Sequence, residues 1–178
     1  KAANARADDF ISNAFITSTL RGEDSSGIVT IDPYKNDYML QKLPVSGQHF
    51  ITDRVAKRYI GYAAAAKTIT LCHVRAATQG SVTLSNAHPF EIEEGDNALV
   101  GTHNGTLNGW SQKKGGKHFD VDSEWALWRI SVDGLDAFKD FTGAFSFVWW
   151  NSRDPENVFM ARNKDRPLAV AFLKDGGM

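Results

Sequence analysis

The spacing of apolar positions changes along the chain. Over residues 5 to 20 they recur as helical pairs, Phe10 with Ala14 and Ile11 with Phe15, which places them on one helix face. Gly22 ends the predicted helix. Strand-like runs follow: "GIVTI" at 27–31, "DYMLQKL" at 37–43, "TITLCHV" at 68–74 and "NALVGT" at 97–102. The segment "DSEWALWRISV" predicts a second helix, with Asp122 or Ser123 as its N-cap ahead of Trp125, Leu127 and Trp128. Three more strands are predicted at 143–150, 157–162 and 168–173. Helices interrupt runs of strands without alternating strictly, which favours a layered α+β domain over a parallel doubly wound sheet. Trp149 and Trp150 point to opposite faces of one strand, so one is expected in the core and the other against a partner.

No repeat, low-complexity tract or linker divides the sequence, so residues 1–178 read as a single domain, long enough to bury a core. The hydrophobic share of 42% and charged share of 23% are those of a globular protein in water. Charge is balanced at −1, with no basic stripe, so nucleic acid is not an expected partner. Apolar runs such as "YAAAA" and "FSFVWW" are too short to span a bilayer, and the polar opening "KAANARADD" is no secretion signal. The single cysteine, Cys72, rules out an internal disulfide framework and suits a reducing, cytoplasmic setting. Both ends read as cut: there is no initiator methionine, and "FLKDGGM" stops just after a strand-like run.

Four glycine-containing or polar clusters sit at predicted element ends: "LRGEDSSG" at 20–27, "HVRAATQG" at 73–80, "NAHPF" at 86–90 and "GTHNGTL" at 101–107. A fifth, "DVDSE", opens the second helix. Each alone has an ordinary reading as a turn, a solvated arginine or a helix cap. His73, His88 and His103 lie 15 residues apart, a spacing that puts no two on one element as metal ligands. No metal or other cofactor is expected, and His73, alternating with Ile69 and Leu71, reads as a hydrogen-bonded core histidine. Cys72, on the other face with Thr70 and Val74, reads as a small apolar residue.

Taken together, the clusters suit a small zwitterion. An arginine fork grips a carboxylate with two parallel hydrogen bonds. An aspartate at a helix start suits an ammonium group. Asn104 and Gly105 offer a side-chain amide and an unobstructed backbone N–H, two donors for a developing oxyanion. An amino acid with a reactive side-chain carbonyl, such as glutamine, has all three features.

The five clusters, in this order, resemble the motifs of the class II glutamine amidotransferase domain, a branch of the N-terminal-nucleophile hydrolases. The forms "HVRAATQG" and "HNG" are closest to the glucosamine-6-phosphate synthase and amidophosphoribosyltransferase branches, and a compact phage-type version also fits. The resemblance implies a four-layer αββα sandwich of two antiparallel sheets. It implies that Arg75 binds the α-carboxylate of L-glutamine, with Thr78 and Gln79 beside it, and that Asp122 binds the α-amine. Asn104 and Gly105 would form the oxyanion hole, and Arg21, Asp24, Ser25 and His103 would support the site. An ammonia-accepting synthetase or transferase, as a further domain or a separate chain, would be the partner. The family reaction starts from an N-terminal cysteine on a short strand, which this sequence lacks; its first segment is the helix that normally follows. Lys1 cannot supply a thiol, and Cys72 is not expected to serve. The residue after Arg75 is Ala76, where relatives often carry an aromatic, leaving one pocket wall more open. The competing expectations are an inactive domain of this fold kept for binding or assembly, including a virion component, and a hydrolase acting on another amide.

Overall fold

Burial runs unbroken along "SSGIVTI", so the strand that carries it is covered on both faces. That strand, β1 (Ser25–Asp32), lies between β2 (Asp37–Leu43) and β3 (Ile69–Arg75) in a three-stranded antiparallel sheet. The second sheet has the order β4 (Phe90–Glu94), β5 (Asn97–Leu107), β6 (Gly143–Asn151), β7 (Val158–Arg162), also antiparallel throughout. The computed structural model describes residues 2–65, 68–110 and 118–171.

Val29, Ile31 and Leu71 of the first sheet meet Val100 and Trp150 of the second, forming the layer between sheets. Ile28, on the opposite face of β1, packs with Phe15 of α1 (Ala2–Ser18), Phe50 of the single-turn α2 (Gly47–Phe50), and Ala56 and Ile60 of α3 (Arg54–Ala65). On the outer face of the second sheet, Leu99, Phe147 and Trp149 pack under α4 (Asp122–Asp133) through Trp125, Leu127 and Ile130. The result is the expected αββα order. No helix among the described residues is long and apolar enough to cross a membrane.

Both tryptophans of β6 are buried, which overturns the expectation that one faces a partner. Trp150 (0% exposed) fills the space between sheets, and Trp149 (4%) stacks on Phe159 beneath α4. A sheet inside a sandwich with helices outside has no wet face, so alternation along β6 does not sort core from surface. Phe10 is 75% exposed, and the Ile11–Phe15 side of α1 packs inward.

α3 is not among the elements expected from the sequence, although Ala56, Ile60 and Ala63 recur at helical spacing and Asp53 caps the helix by accepting from the N–H groups of Val55 and Ala56. β4, whose Phe90 and Ile92 alternate inward, is likewise not among them. The N-cap of α4 is Val121, not Asp122 or Ser123. Residues 168–171 form no strand, with no sheet partner among the described residues, and residues 172 and 173 of that expected strand lie outside them.

Candidate active site

The "HNG" cluster is not a turn after a strand. β5 runs on through it, pairing residue for residue with β6 as far as Leu107 opposite Gly143. Gly105 lies within that register at φ +156, a conformation side-chain-bearing residues rarely adopt. A Cβ there would fall 2.0 Å from the Ala144 carbonyl oxygen. The sheet therefore sets where the Asn104 side chain and the Gly105 peptide sit.

β5 and β3 bring their polar ends to one cavity of about 340 Å³, together with the start of α4. Arg21, Arg75, Thr78, Gln79, His103, Asn104, Gly105 and Asp122 all line it. Asp24 and Ser25 do not; they stand behind it. The Asp24 N–H donates to the Arg75 carbonyl at 3.1 Å, and its carboxylate accepts from the Ala77 N–H at 2.7 Å, so the "RGEDSSG" corner holds the end of β3. Gly22 lets the two segments touch: a Cβ there would lie 2.5 Å from the Ala76 nitrogen. Arg21 is exposed at the cavity mouth, and Ser25 is buried with its hydroxyl unpartnered among the described residues.

Arg75 is 6% exposed. Its guanidinium donates to the carbonyls of Gln79 and Ser81, the latter at 3.4 Å, and so shapes the 76–81 segment from inside. Asp122 is equally enclosed, at 4%. Its Oδ2 accepts from the Leu107 N–H at 2.8 Å and its Oδ1 from the Ser123 N–H at 2.9 Å. Burial raises the Asp122 pKa, and these hydrogen bonds oppose the rise. Burial lowers that of Arg75, against the fields of Asp24 and Asp122. Among the described residues Arg75 and Asp122 make no ion pair with each other. A cation and an anion thus line the same cavity with room between them.

Gln79 is partly committed, because its Oε1 accepts from the Trp110 indole N–H at 2.7 Å, while Thr78 is exposed at the rim. His103, expected only as support, is 3% exposed, stacks on Phe147 at 4.4 Å, and has Nδ1 2.9 Å from the Ser123 hydroxyl.

Cys72, His73, His88, Ser123 and Arg166 also line the cavity, with no site role expected for them from the sequence. His88 stacks on His73 at 4.2 Å and meets Phe90 edge-on. Neither of its ring nitrogens has a hydrogen-bond partner among the described residues, nor does His73 Nδ1. His73 is thus a half-buried cavity-wall residue and not a fully satisfied core histidine. Burial lowers His73 to about 4 and His103 to about 3, and holds His88 well below the usual histidine value, so all three rings are neutral at pH 7. Among the described residues no group of histidine, cysteine and carboxylate side chains is placed to hold a metal ion. Cys72 does not pack as an apolar side chain; it is exposed to the cavity, yet deep enough that burial pushes its thiol up to about 12. The "NAHPF" cluster and the 15-residue histidine spacing were visible in the sequence, but nothing local shows that three elements bring the rings together.

The model of the family described as "Glutamine amidotransferases class-II" matches residues 44–138, more than half of the chain. The chain belongs to the class II glutamine amidotransferases. Among curated proteins, the glutamine–fructose-6-phosphate aminotransferase (isomerizing) of Streptococcus pneumoniae serotype 4 is 29% identical over 95% of this chain, and that of Streptococcus mutans serotype c is 31% identical over 95%. The chain spans 29% of the length of each. Among solved structures, the "allosteric regulatory enzyme of purine biosynthesis" superposes with a TM-score of 0.64 at 19% identity, over 82% of this chain and 33% of that one. The glutamine phosphoribosylpyrophosphate amidotransferase from B. subtilis gives 0.59 at 20%, over 79% and 32%. At such identities these two likenesses speak for the fold, the antiparallel two-sheet sandwich of this amidotransferase class.

Proposed function

We propose that the cavity binds L-glutamine and serves hydrolysis of its side-chain amide, releasing ammonia to an acceptor site. The observation that carries this reading is the convergence of Arg75, Asp122 and the Asn104–Gly105 pair on one cavity. Arg75 pairs with the α-carboxylate through the guanidinium N–H groups not bound to Gln79 and Ser81, with Thr78 and Gln79 beside it. Asp122 accepts hydrogen bonds from the α-ammonium. The Asn104 amide and Gly105 N–H donate to the carbonyl oxygen as negative charge develops on it.

The nucleophile in this reading is the thiolate of an N-terminal cysteine that residues 1–178 do not include. Its sulfur bonds to the amide carbon, the nitrogen takes a proton and leaves as ammonia, and water then cleaves the thioester to glutamate and free thiol. Cys72 does not substitute for it, because a thiol raised to about 12 holds almost no thiolate at neutral pH. Arg21, Asp24, Ser25 and His103 act as supports. The acceptor belongs to a further domain or another chain. The names of the curated relatives make a sugar phosphate such as fructose 6-phosphate the first acceptor to try.

The test is L-glutamine turnover by the full-length protein, with ammonia and glutamate measured together. Equimolar release, lost in Asp122→Asn and Arg75→Lys, supports the reading. Binding of glutamine without turnover would favour the inactive binding domain, and failure of calorimetry to detect any glutamine binding would sink both. Turnover of acylated amino acids in preference to glutamine would identify a different amide hydrolase.

A further inference from the structure

The start of α4 touches β5 at two points, one on each side of Asn104–Gly105. At the far point, Asp122 Oδ2 accepts from the Leu107 N–H at 2.8 Å. At the near point, the Ser123 hydroxyl lies 2.9 Å from His103 Nδ1. The two anchors are four residue steps apart along the strand, roughly 14 Å at the usual rise. Phe147 stacks on the His103 ring almost in parallel, at 12°, which fixes the ring plane. His103 Nε2 then abuts Gly105, where a Cβ would lie 2.8 Å from it. That nitrogen faces the Ala144 backbone, whose carbonyl favours a proton on it, although no hydrogen bond of ordinary geometry joins the two among the described residues.

Ser123 joins the two anchors. Its hydroxyl donates to Asp122 Oδ1 at 3.5 Å, alongside the 2.9 Å bond from its own N–H. A serine hydroxyl has a single proton to give. While that proton is directed at Asp122, the Ser123 oxygen accepts from His103 Nδ1–H, and Nε2 is bare. If a cationic group takes over Asp122 as its acceptor, the hydroxyl can turn and donate to His103 Nδ1. The imidazole proton then resides on Nε2, beside Gly105 and facing the Ala144 carbonyl.

We propose that Ser123 and His103 are positioning residues that report occupancy of Asp122 to the Asn104–Gly105 pair through a change of His103 tautomer. The proposal rests on the reading of this cavity as a glutamine site, with Asp122 holding the α-amine. It makes the α-amine of the substrate more than an affinity handle: its arrival sets the donor pattern beside the oxyanion hole. Asp122, Ser123, His103 and Gly105 are connected by hydrogen bonds or direct contact, and the first three are at most 6% exposed, so these contacts are largely shielded from water.

The experiment is long-range ¹H–¹⁵N spectroscopy of the full-length protein carrying ¹⁵N-histidine. The ligands are L-glutamate, a stable ligand with the same α-amine and α-carboxylate, and glutarate, which lacks the amine. The expected result is His103 protonated on Nδ1 without ligand and on Nε2 with saturating glutamate, with no change on glutarate. In Ser123→Ala, which removes the acceptor of Nδ1–H, the ring is expected on Nε2 before any ligand is added. The link is overturned if Ser123→Ala leaves the ligand-free tautomer as in the parent, or if bound glutamate leaves it unchanged. Absence of glutamate binding would instead remove the glutamine reading, while the ligand-free comparison still judges the Ser123–His103 link. In turnover, Ser123→Ala should lower kcat about tenfold, with KM for glutamine changed less than about twofold, and Ser123→Thr should restore most of the loss. A role limited to stability would move the melting temperature and leave both the tautomer and kcat in place.

Discussion

Asn104 and Gly105 are neighbours in sequence, but their proposed contributions are separable. Asn104 exposes its side chain to the cavity. Asn104→Ala should therefore lower kcat by about 10²- to 10³-fold and leave the melting temperature within a degree or two of the parent. Gly105→Ala should fail differently, because the added Cβ meets the Ala144 carbonyl at 2.0 Å and the φ of +156 strains any side chain. Loss of turnover together with a destabilisation on the order of 2 kcal/mol or more is expected, read by ammonia release and by thermal unfolding. If Gly105→Ala lost activity at full stability, the strand would be more yielding than its register implies. The chemistry of these residues was legible in the sequence because it depends on residue type and order. Their setting was not: a histidine, an asparagine and a glycine in a row read as a turn, and only pairing with β6 makes them part of a strand.

The helix–β1 corner approaches the end of β3 closely beside the cavity. Gly22 lies there in extended backbone, so its requirement is for space and not for an unusual φ. Gly22→Ala should push the Arg75–Ala76 peptide outward and break the Asp24 bonds that hold it. Weaker glutamine binding with a loss of about 1–3 kcal/mol in stability is expected, with calorimetry and denaturant unfolding as the measurements. Unchanged affinity would mean that Arg75 is positioned by Gln79 and Ser81 alone. Most strands were readable from apolar spacing, including β2 to the residue. The omissions have physical reasons. β4 has only five residues. α3 has its apolar positions diluted among arginine, lysine and tyrosine, so the spacing is less obvious than the capping aspartate before it. Residues 168–171 show the limit of local pattern, since a strand-like composition forms a strand only when a neighbour supplies hydrogen bonds.

The sandwich encloses His73, His88 and His103 as neutral rings, and this has a consequence for stability against pH. In the unfolded chain each binds a proton near its ordinary value of 6.5, while folded His73 and His103 do so only near 4 and 3. Between about pH 6.5 and 4 the unfolded state therefore holds more protons, and stability falls as pH falls, by up to about 1.4 kcal/mol per pH unit for each ring. The stabilising contribution is present above pH 6.5 and lost towards the folded values. Asp122 and Glu124, raised by burial, act in the opposite sense at the acid end of this window. Unfolding midpoints measured from pH 7.5 to 4.5 should drop steeply in the parent. His88→Phe, which suits the ring stack with His73 and Phe90, should flatten the slope by roughly one ring's share. An identical slope in that variant would show that His88 is not buried as a neutral ring.

The hydrogen bond between Trp110 and Gln79 has an optical consequence. Of the five tryptophans, Trp125, Trp149 and Trp150 are buried in packed layers, and the Trp128 indole N–H is tied to Glu94. The Trp110 indole N–H bonds a residue that lines the cavity, and its emission should depend on whether the Gln79 oxygen still accepts its proton. The protein thus carries its own fluorophore one hydrogen bond away from a cavity-lining side chain. Titration with L-glutamate should shift or quench emission in the parent and leave Trp110→Phe dark to the ligand, giving a label-free signal for rapid mixing.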